Sequence, residues 1–151
     1  MTNIELKNFI EAGVQGAVVT DGKQYLTAVI PADKWLAFAK VLKDNPATSF
    51  DYLFCLSGVD MPDFLEVVYH MESTRLRHVL VVKVRTQNRE LTEIPSVAGL
   101  WPTADFHERE VYDLLGIKFT NHPDLRRFFM DDDQGYPLRK DYTDENRIVE
   151  R

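Results

Sequence analysis

Cysteine is nearly absent from this chain. Cys55 stands alone among 151 residues, which excludes an intrachain disulfide and any iron–sulfur cluster held by several thiolates of this chain. Set between Phe54 and Leu56, the thiol reads as a small buried core residue in a reducing compartment. Long hydrophobic runs are missing too, since no stretch approaches the roughly 18 consecutive apolar residues of a membrane span. The opening MTNIELKNFIEAG has neither the basic start nor the unbroken apolar core of a secretory signal, so the expected location is the cytoplasm. Glycine is scarce, with seven in all, and none falls in a Gly-x-Gly-x-x-Gly or phosphate-cradling loop, so nothing marks a nucleotide site. Positive charge is also in short supply. Eighteen Lys and Arg against twenty-four Asp and Glu leave a net charge of -6, a balance that repels a polyanion unless the bases gather on one face.

What is present is an ordinary globular composition. A hydrophobic share of 44% beside a charged share of 28% suits a folded chain, and 151 residues suffice for one domain with a real core. Ile4, Leu6, Phe9 and Ile10 have near-helical spacing up to Gly13. AVVT and YLTAVI flank the turn-rich DGKQ and predict a hairpin. After Pro31, Asp33 is placed to cap a helix whose Trp35, Phe38, Ala39 and Leu42 form one apolar stripe. Phe50, Tyr52, Phe54 and Leu56 alternate with Asp51, Leu53, Cys55 and Ser57, and FLEVVYHM and HVLVVKVR add two more strand-like runs. Helix, two strands, helix, three strands offers too few crossovers for a parallel sheet. The expected fold is therefore α+β: a two-layer, mixed and mostly antiparallel sheet under helices, followed by a C-terminal helix and an extended arm. The division falls near residue 100, with the sheet part at 1–100 and the helix and arm at 101–151 of the same domain unit.

The helix expected from about Thr103 to Leu115, stopped by Gly116, carries HEREVYD at residues 107–113. It begins like the zinc-protease motif His-Glu-x-x-His, but Val111 stands where the second histidine belongs and has no lone pair to give. A weaker site from His107 and Glu110 needs at least a third ligand from elsewhere. The charges have local structural uses instead: Arg109 and Asp113, four apart, can pair, and Glu108 and Glu110 near the helix start favour its dipole. No serine or cysteine sits in a nucleophile setting, and His70, His78 and His122 are isolated in sequence.

Residues 117–151 lack sustained periodicity. Phe119, Phe128, Phe129, Tyr136 and Tyr142 are interleaved there with Arg126, Arg127, Arg139 and Lys140 around DDDQG. Aromatic enrichment argues against disorder, and aromatic residues with arginine are what protein interfaces favour, so this arm is expected to pack on a partner protein.

These residues also carry a family resemblance. WPTADFHEREVYDLLGIKFTNHPDLRR followed by GYPLRKDY closely resembles the C subunit of NADH:quinone oxidoreductase, the thirty-kilodalton subunit family of respiratory complex I. The motif falls on Glu108, Arg109, Glu110, Asp113, Leu114, Leu115 and Gly116, then His122, Pro123, Leu125, Arg126 and Arg127. LSGVD and VVYHM extend the likeness upstream, to roughly residues 50–142. Phe128 and Phe129 depart from the family's usual aliphatic pair, and Tyr136 replaces a common histidine, which suggests local repacking. The sequence stops at ENRIVER, short of an extension that many members carry, so that extension's contacts are not carried over.

The resemblance implies a non-catalytic peripheral-arm subunit of a proton-translocating NADH:quinone oxidoreductase, docked on the large quinone-site subunit, named D in that family, and stabilising it. It implies no cofactor in this chain, with FMN, iron–sulfur clusters and quinone in partner subunits. It implies the large quinone-site subunit and the iron–sulfur subunits as partners, and a place on the cytoplasmic side of the membrane, reached through other subunits. In that reading Glu108, Arg109, Glu110 and Asp113 are structural, paired within the domain or with the large partner. Leu125, Arg126, Arg127, Phe128, Phe129, Tyr136, Pro137, Leu138, Arg139, Lys140 and Tyr142 form the partner interface. Two alternatives stay open: an equivalent subunit of a related membrane-bound hydrogenase or other quinone- or ferredoxin-linked oxidoreductase, and a stand-alone metal hydrolase using His107, Glu108 and Glu110.

Overall fold

The computed structural model describes residues 1–143; the end of the arm, residues 144–151, lies outside the described residues. The chain opens with α1 (Asn3–Gly13), where Thr2 and Glu5 form a reciprocal capping box that satisfies two orphan amides. Leu6 and Ile10 are its buried residues, whereas Ile4, on the same predicted stripe, is exposed. A hairpin follows, β1 (Val18–Asp21) and β2 (Leu26–Pro31), in antiparallel register from Val18↔Val29 to Asp21↔Leu26. Helix α2 (Ala32–Asp44) buries Trp35, Phe38, Ala39 and Leu42, the stripe read from the sequence. Asp33 does not cap it: the helix starts straight off β2 with Pro31 in the N-cap position, and Asp33 falls in the first turn, where its charge still suits the dipole.

The three later strands β3 (Tyr52–Asp60), β4 (Leu65–Ser73) and β5 (His78–Arg85) form the expected antiparallel meander. Strand β5 also pairs in parallel with β2, so the sheet order is β1-β2-β5-β4-β3 and the sheet is mixed. One strand departs from its predicted alternation. The register of β3 shifts between Leu53 and Cys55, so Leu53 and Leu56 point inward while Tyr52 and Phe54 stay exposed. A bulge inserts one unpaired residue and breaks the period of two. The same shift leaves Cys55 half-buried rather than in the core.

One core lies between the sheet and the helices. Inward residues of β4 (Leu65, Val67, Tyr69, Met71) and β5 (Leu80, Val82, Val84) meet Leu6 and Ile10 of α1 and the Trp35 stripe of α2. A further helix, α3 (Ala104–Leu115), adds Val111 and Leu115. Each large apolar side chain removed from water here contributes about 1.5–3 kcal/mol. Val68 and Val81, on the opposite face of the sheet, are not part of this core, so the layers number two.

Two short strands escaped the sequence reading: β6 (Glu93–Pro95) and β7 (Lys118–Thr120) pair in parallel on either side of α3. They stitch the sheet part to the C-terminal part. Trp101, Ile117 and Phe119 belong to the same core.

Candidate functional site

Helix α3 rests on the edge strand β3, and it does so through a glycine. A Cβ at Gly58 would run into Leu115 Cδ1 and come within 3.0 Å of Val111 Cγ1, so only hydrogen lets the helix approach this closely. The helix also answers the liability of an exposed edge. Trp101 Nε1 donates to the Phe50 carbonyl, Thr103 Oγ1 to that of Leu53, and the His107 ring, through Nδ1, to that of Leu56, at 3.0, 3.1 and 3.2 Å. His107 is thus a strand-edge residue. Its neighbour Glu108 turns the other way, into the interior, and Glu110 stays exposed. The three residues of the hydrolase reading therefore do not converge, and among the described residues no group of three His, Cys, Asp or Glu is arranged to hold a metal.

Glu108 is fully buried and accepts hydrogen bonds from Ser96 Oγ at 2.5 Å and Val97 N at 2.8 Å. It ties the β6–α3 connection to the helix rather than complementing the helix dipole. Burial pushes its pKa up to about 7, against the opposing pull of the Ser96 and Val97 donors. The side chain of His122 is equally closed off, with Nε2 3.7 Å from Glu108 Oε2. Since Asp124 N donates to His122 Nδ1, the ring proton sits on Nε2 and is given to the Asp105 carbonyl at 3.1 Å. His122 fastens the turn after β7 to the first turn of α3.

The expected Arg109–Asp113 pair does not form. Arg109 reaches one turn back to Asp105 at 3.0 Å and lies 4.7 Å from the ring centroids of both Phe106 and Phe128. Asp113 faces the other side and receives Arg127 Nε at 2.6 Å and the amide of Phe129 at 2.7 Å. Burial pulls the Asp113 pKa upward, but the Arg127 guanidinium and the Phe129 and Phe128 amides outweigh it and hold the carboxyl below its ordinary value.

Asp113 is where the arm comes home. Arg127 also donates to the carbonyls of Asp113, Gln134 and Gly135, closing the acidic DDDQG loop. Arg139 Nε donates to the Leu115 carbonyl at 2.6 Å and Leu138 N to that of Leu114 at 3.0 Å, so the arm satisfies carbonyls orphaned at the end of α3. Tyr136 lies 5.0 Å from both guanidinium carbons, Arg127 and Arg139, and packs on Gly116. Farther on, Lys140 N donates to Asp60 at 2.7 Å, and Arg89 joins Asp60 to Asp141. The Arg89 guanidinium, foremost, keeps the Asp60 carboxyl below its usual range.

The arm predicted to face a partner is therefore anchored to its own helix by Arg127 and Arg139, and arm and helix together display an exposed apolar set. Phe129 is 75% exposed, Phe106 61%, Leu138 59% and Phe128 39%. Leu125 packs against the core, Pro137 and Tyr142 are half-buried, and Pro123 is exposed. Arg126 is exposed and pairs with Asp124, and the Lys140 side chain is exposed. Sequence reasoning did not single out Ser96, Asp105, Phe106 or the Asp60–Arg89 clamp, although Asp105 and Phe106 lay in the quoted WPTADFHEREVYDLLGIKFTNHPDLRR and Asp60 in LSGVD; Ser96 meets Glu108 and Arg89 meets Asp60 across separations that no local pattern reports.

Residues 28–147 match the family model of the respiratory-chain NADH dehydrogenase 30 kDa subunit. The chain is 50% identical over 117 residues to the fused C/D subunit of NADH-quinone oxidoreductase from Phocaeicola vulgatus, covering 76% of this chain but 22% of that longer protein. It is 42% identical to the NADH-quinone oxidoreductase C subunit of Moorella thermoacetica, covering 82% of this chain and 84% of that one. Among solved structures, a chain of an archaeal respiratory membrane complex, the membrane-bound sulfane sulfur reductase, superposes with a TM-score of 0.77 at 26% identity, covering 95% of this chain and 86% of that chain. The chain belongs to the family of the respiratory NADH dehydrogenase 30 kDa subunit, which includes the C subunits of NADH-quinone oxidoreductases.

Proposed function

We propose that this chain is a non-catalytic subunit of a proton-translocating NADH:quinone oxidoreductase, docking on the large quinone-site subunit and stabilising it. The observation that carries the reading is the anchored arm: with Arg127 and Arg139 turned inward, Phe106, Phe128, Phe129 and Leu138 are held outward on a fixed backbone. Preorganisation of this kind lowers the ordering cost of association, and exposed aromatic residues over a buried arginine are typical of interface centres. The C/D fusion of Phocaeicola vulgatus supports the choice of partner, because there the two subunits share one chain. The signature charges serve the fold, and the redox groups, FMN and iron–sulfur clusters, belong to other subunits, with quinone bound at the large partner. No helix among the described residues is long and apolar enough to cross a membrane; the chain reaches the cytoplasmic side of the membrane through its partners.

A related complex is the second reading, favoured by the fold shared with the sulfane sulfur reductase chain. Purification of the tagged chain from its host in mild detergent, with mass spectrometry of everything that travels with it, tests both. The large quinone-site subunit with NADH-binding and iron–sulfur subunits is the expected set. Hydrogenase-type or other donor-specific subunits would move the assignment to the second reading, and a chain that emerges alone would overturn docking.

A further inference from the structure

The sheet has a second surface, on the side away from α3. Glu66, Val68 and His70 of β4 alternate with inward Leu65, Val67, Tyr69 and Met71, and with β5 and the β1–β2 turn they line an open trough of about 430 Å³. Val68 and Val81 make its floor, at 8% and 7% exposed, with no helix of the described residues lining it. Its charges are unevenly shared: Lys23, Lys83 and Arg85 line it against Glu66, an excess of two positive charges on a chain whose net charge is -6.

The arginine is prepared rather than merely present. Glu66, whose side chain is 4% exposed, takes Arg85 Nε at 2.8 Å and lies 3.5 Å from Lys83 Nζ. The ring of Phe64 lies 4.7 Å from the guanidinium carbon. Held by its Nε and stacked on a face, Arg85 keeps both terminal nitrogens without a hydrogen bond among the described residues. A planar fork fixed in this way matches the two oxygens of a carboxylate. A small molecule would find too little enclosure here, since such ligands bury most of their surface; a flat, open trough suits a segment of another protein.

We propose that this trough receives a carboxylate-bearing segment of a second partner protein, gripped by Arg85 and Lys83, with Glu66 as the positioning residue that aims Arg85. The proposal rests on the chain working inside a multi-subunit assembly, but it engages the face opposite the arm. The chain would then bridge two neighbours.

Val59 lines the rim and accepts a photoreactive benzoyl-phenylalanine. Irradiation of the assembled complex, followed by peptide mass spectrometry, should link position 59 to an Asp- or Glu-containing segment of another subunit. Arg85→Lys keeps the charge but loses the fork and should lower the yield about tenfold, the loss of one charge-assisted hydrogen bond. Glu66→Ala should lower it as well, and Glu66→Gln, which still accepts from Arg85 Nε, should restore it. No link in an intact complex, a link to a carboxylate-free segment, a link to a second copy of this chain, or a yield indifferent to these substitutions would overturn the proposal. If the large quinone-site partner still co-purifies in those cases, only the trough inference falls; loss of that partner from the unsubstituted complex would fall on the docking reading instead.

Discussion

Two buried carboxyls of α3 respond to pH in opposite directions. Glu108 has its folded pKa raised from 4.5 to about 7 by burial, so over that window the folded chain holds a proton that the unfolded chain has released. Stability therefore falls as pH rises through it, by about 3 kcal/mol when complete. Glu108→Gln keeps one oxygen to accept from Val97 N, turns its amide toward the Ser96 hydroxyl and removes the ionisable group, so between pH 5 and pH 8 its melting temperature should lack the decline that Glu108 gives the natural chain, read as the difference between the two pH profiles, in which the shared contribution of His70 cancels. Equal slopes would mean that Glu108 ionises freely. Asp113 has the opposite sign: its folded pKa is depressed, so its contribution is present above the ordinary carboxylate range and is lost as pH falls through its folded value. At pH 7 Asp113→Asn leaves the Arg127 guanidinium, 8% exposed, without its counter-charge. Urea unfolding should show a loss of about 3–5 kcal/mol; a loss below 1 kcal/mol would contradict the desolvated pair.

At the scale of elements, the end of α3 depends on Gly116. It caps the helix in the left-handed region, at φ 73°, and a Cβ there would stand 2.6 Å from the Tyr136 ring. Gly116→Ala should therefore lower stability by about 1–3 kcal/mol through strain and overpacking together, read as a drop in melting temperature. An unchanged melting temperature would mean that the arm does not pack on this turn. Most elements were legible because their side chains repeat: the Trp35 stripe of α2 and the runs of β4 and β5 announce themselves by period. What was hidden depends on partners distant in sequence. Three-residue strands β6 and β7 are too short to show a period and exist because they find each other across α3. The bulge in β3 is invisible to alternation because it is a break in alternation. Within the site, the motif residues were found, but Arg109 was matched to Asp113 by spacing when Arg127, fourteen positions beyond Asp113, makes the closer claim.

Across the whole molecule, the two-layer build separates two tasks. Helices on one side of the sheet complete the core and carry the arm, and the bare side keeps its prepared arginine. Truncation after Gly116 would not isolate the arm's role, because Ile117 and Phe119 are core residues. The arm is better tested at its exposed tips. Phe129 and Leu138 make no core contacts, so Phe129→Asp with Leu138→Asp should alter stability by no more than about 1 kcal/mol. The most direct measurement is the Kd of the purified chain for the large quinone-site subunit, with and without this pair of substitutions, alongside the melting temperature of each. The account predicts an unchanged melting temperature with affinity weakened at least about a hundredfold, as befits two interface anchors. Equal affinities for the two proteins would contradict the claim that the arm docks on that large partner.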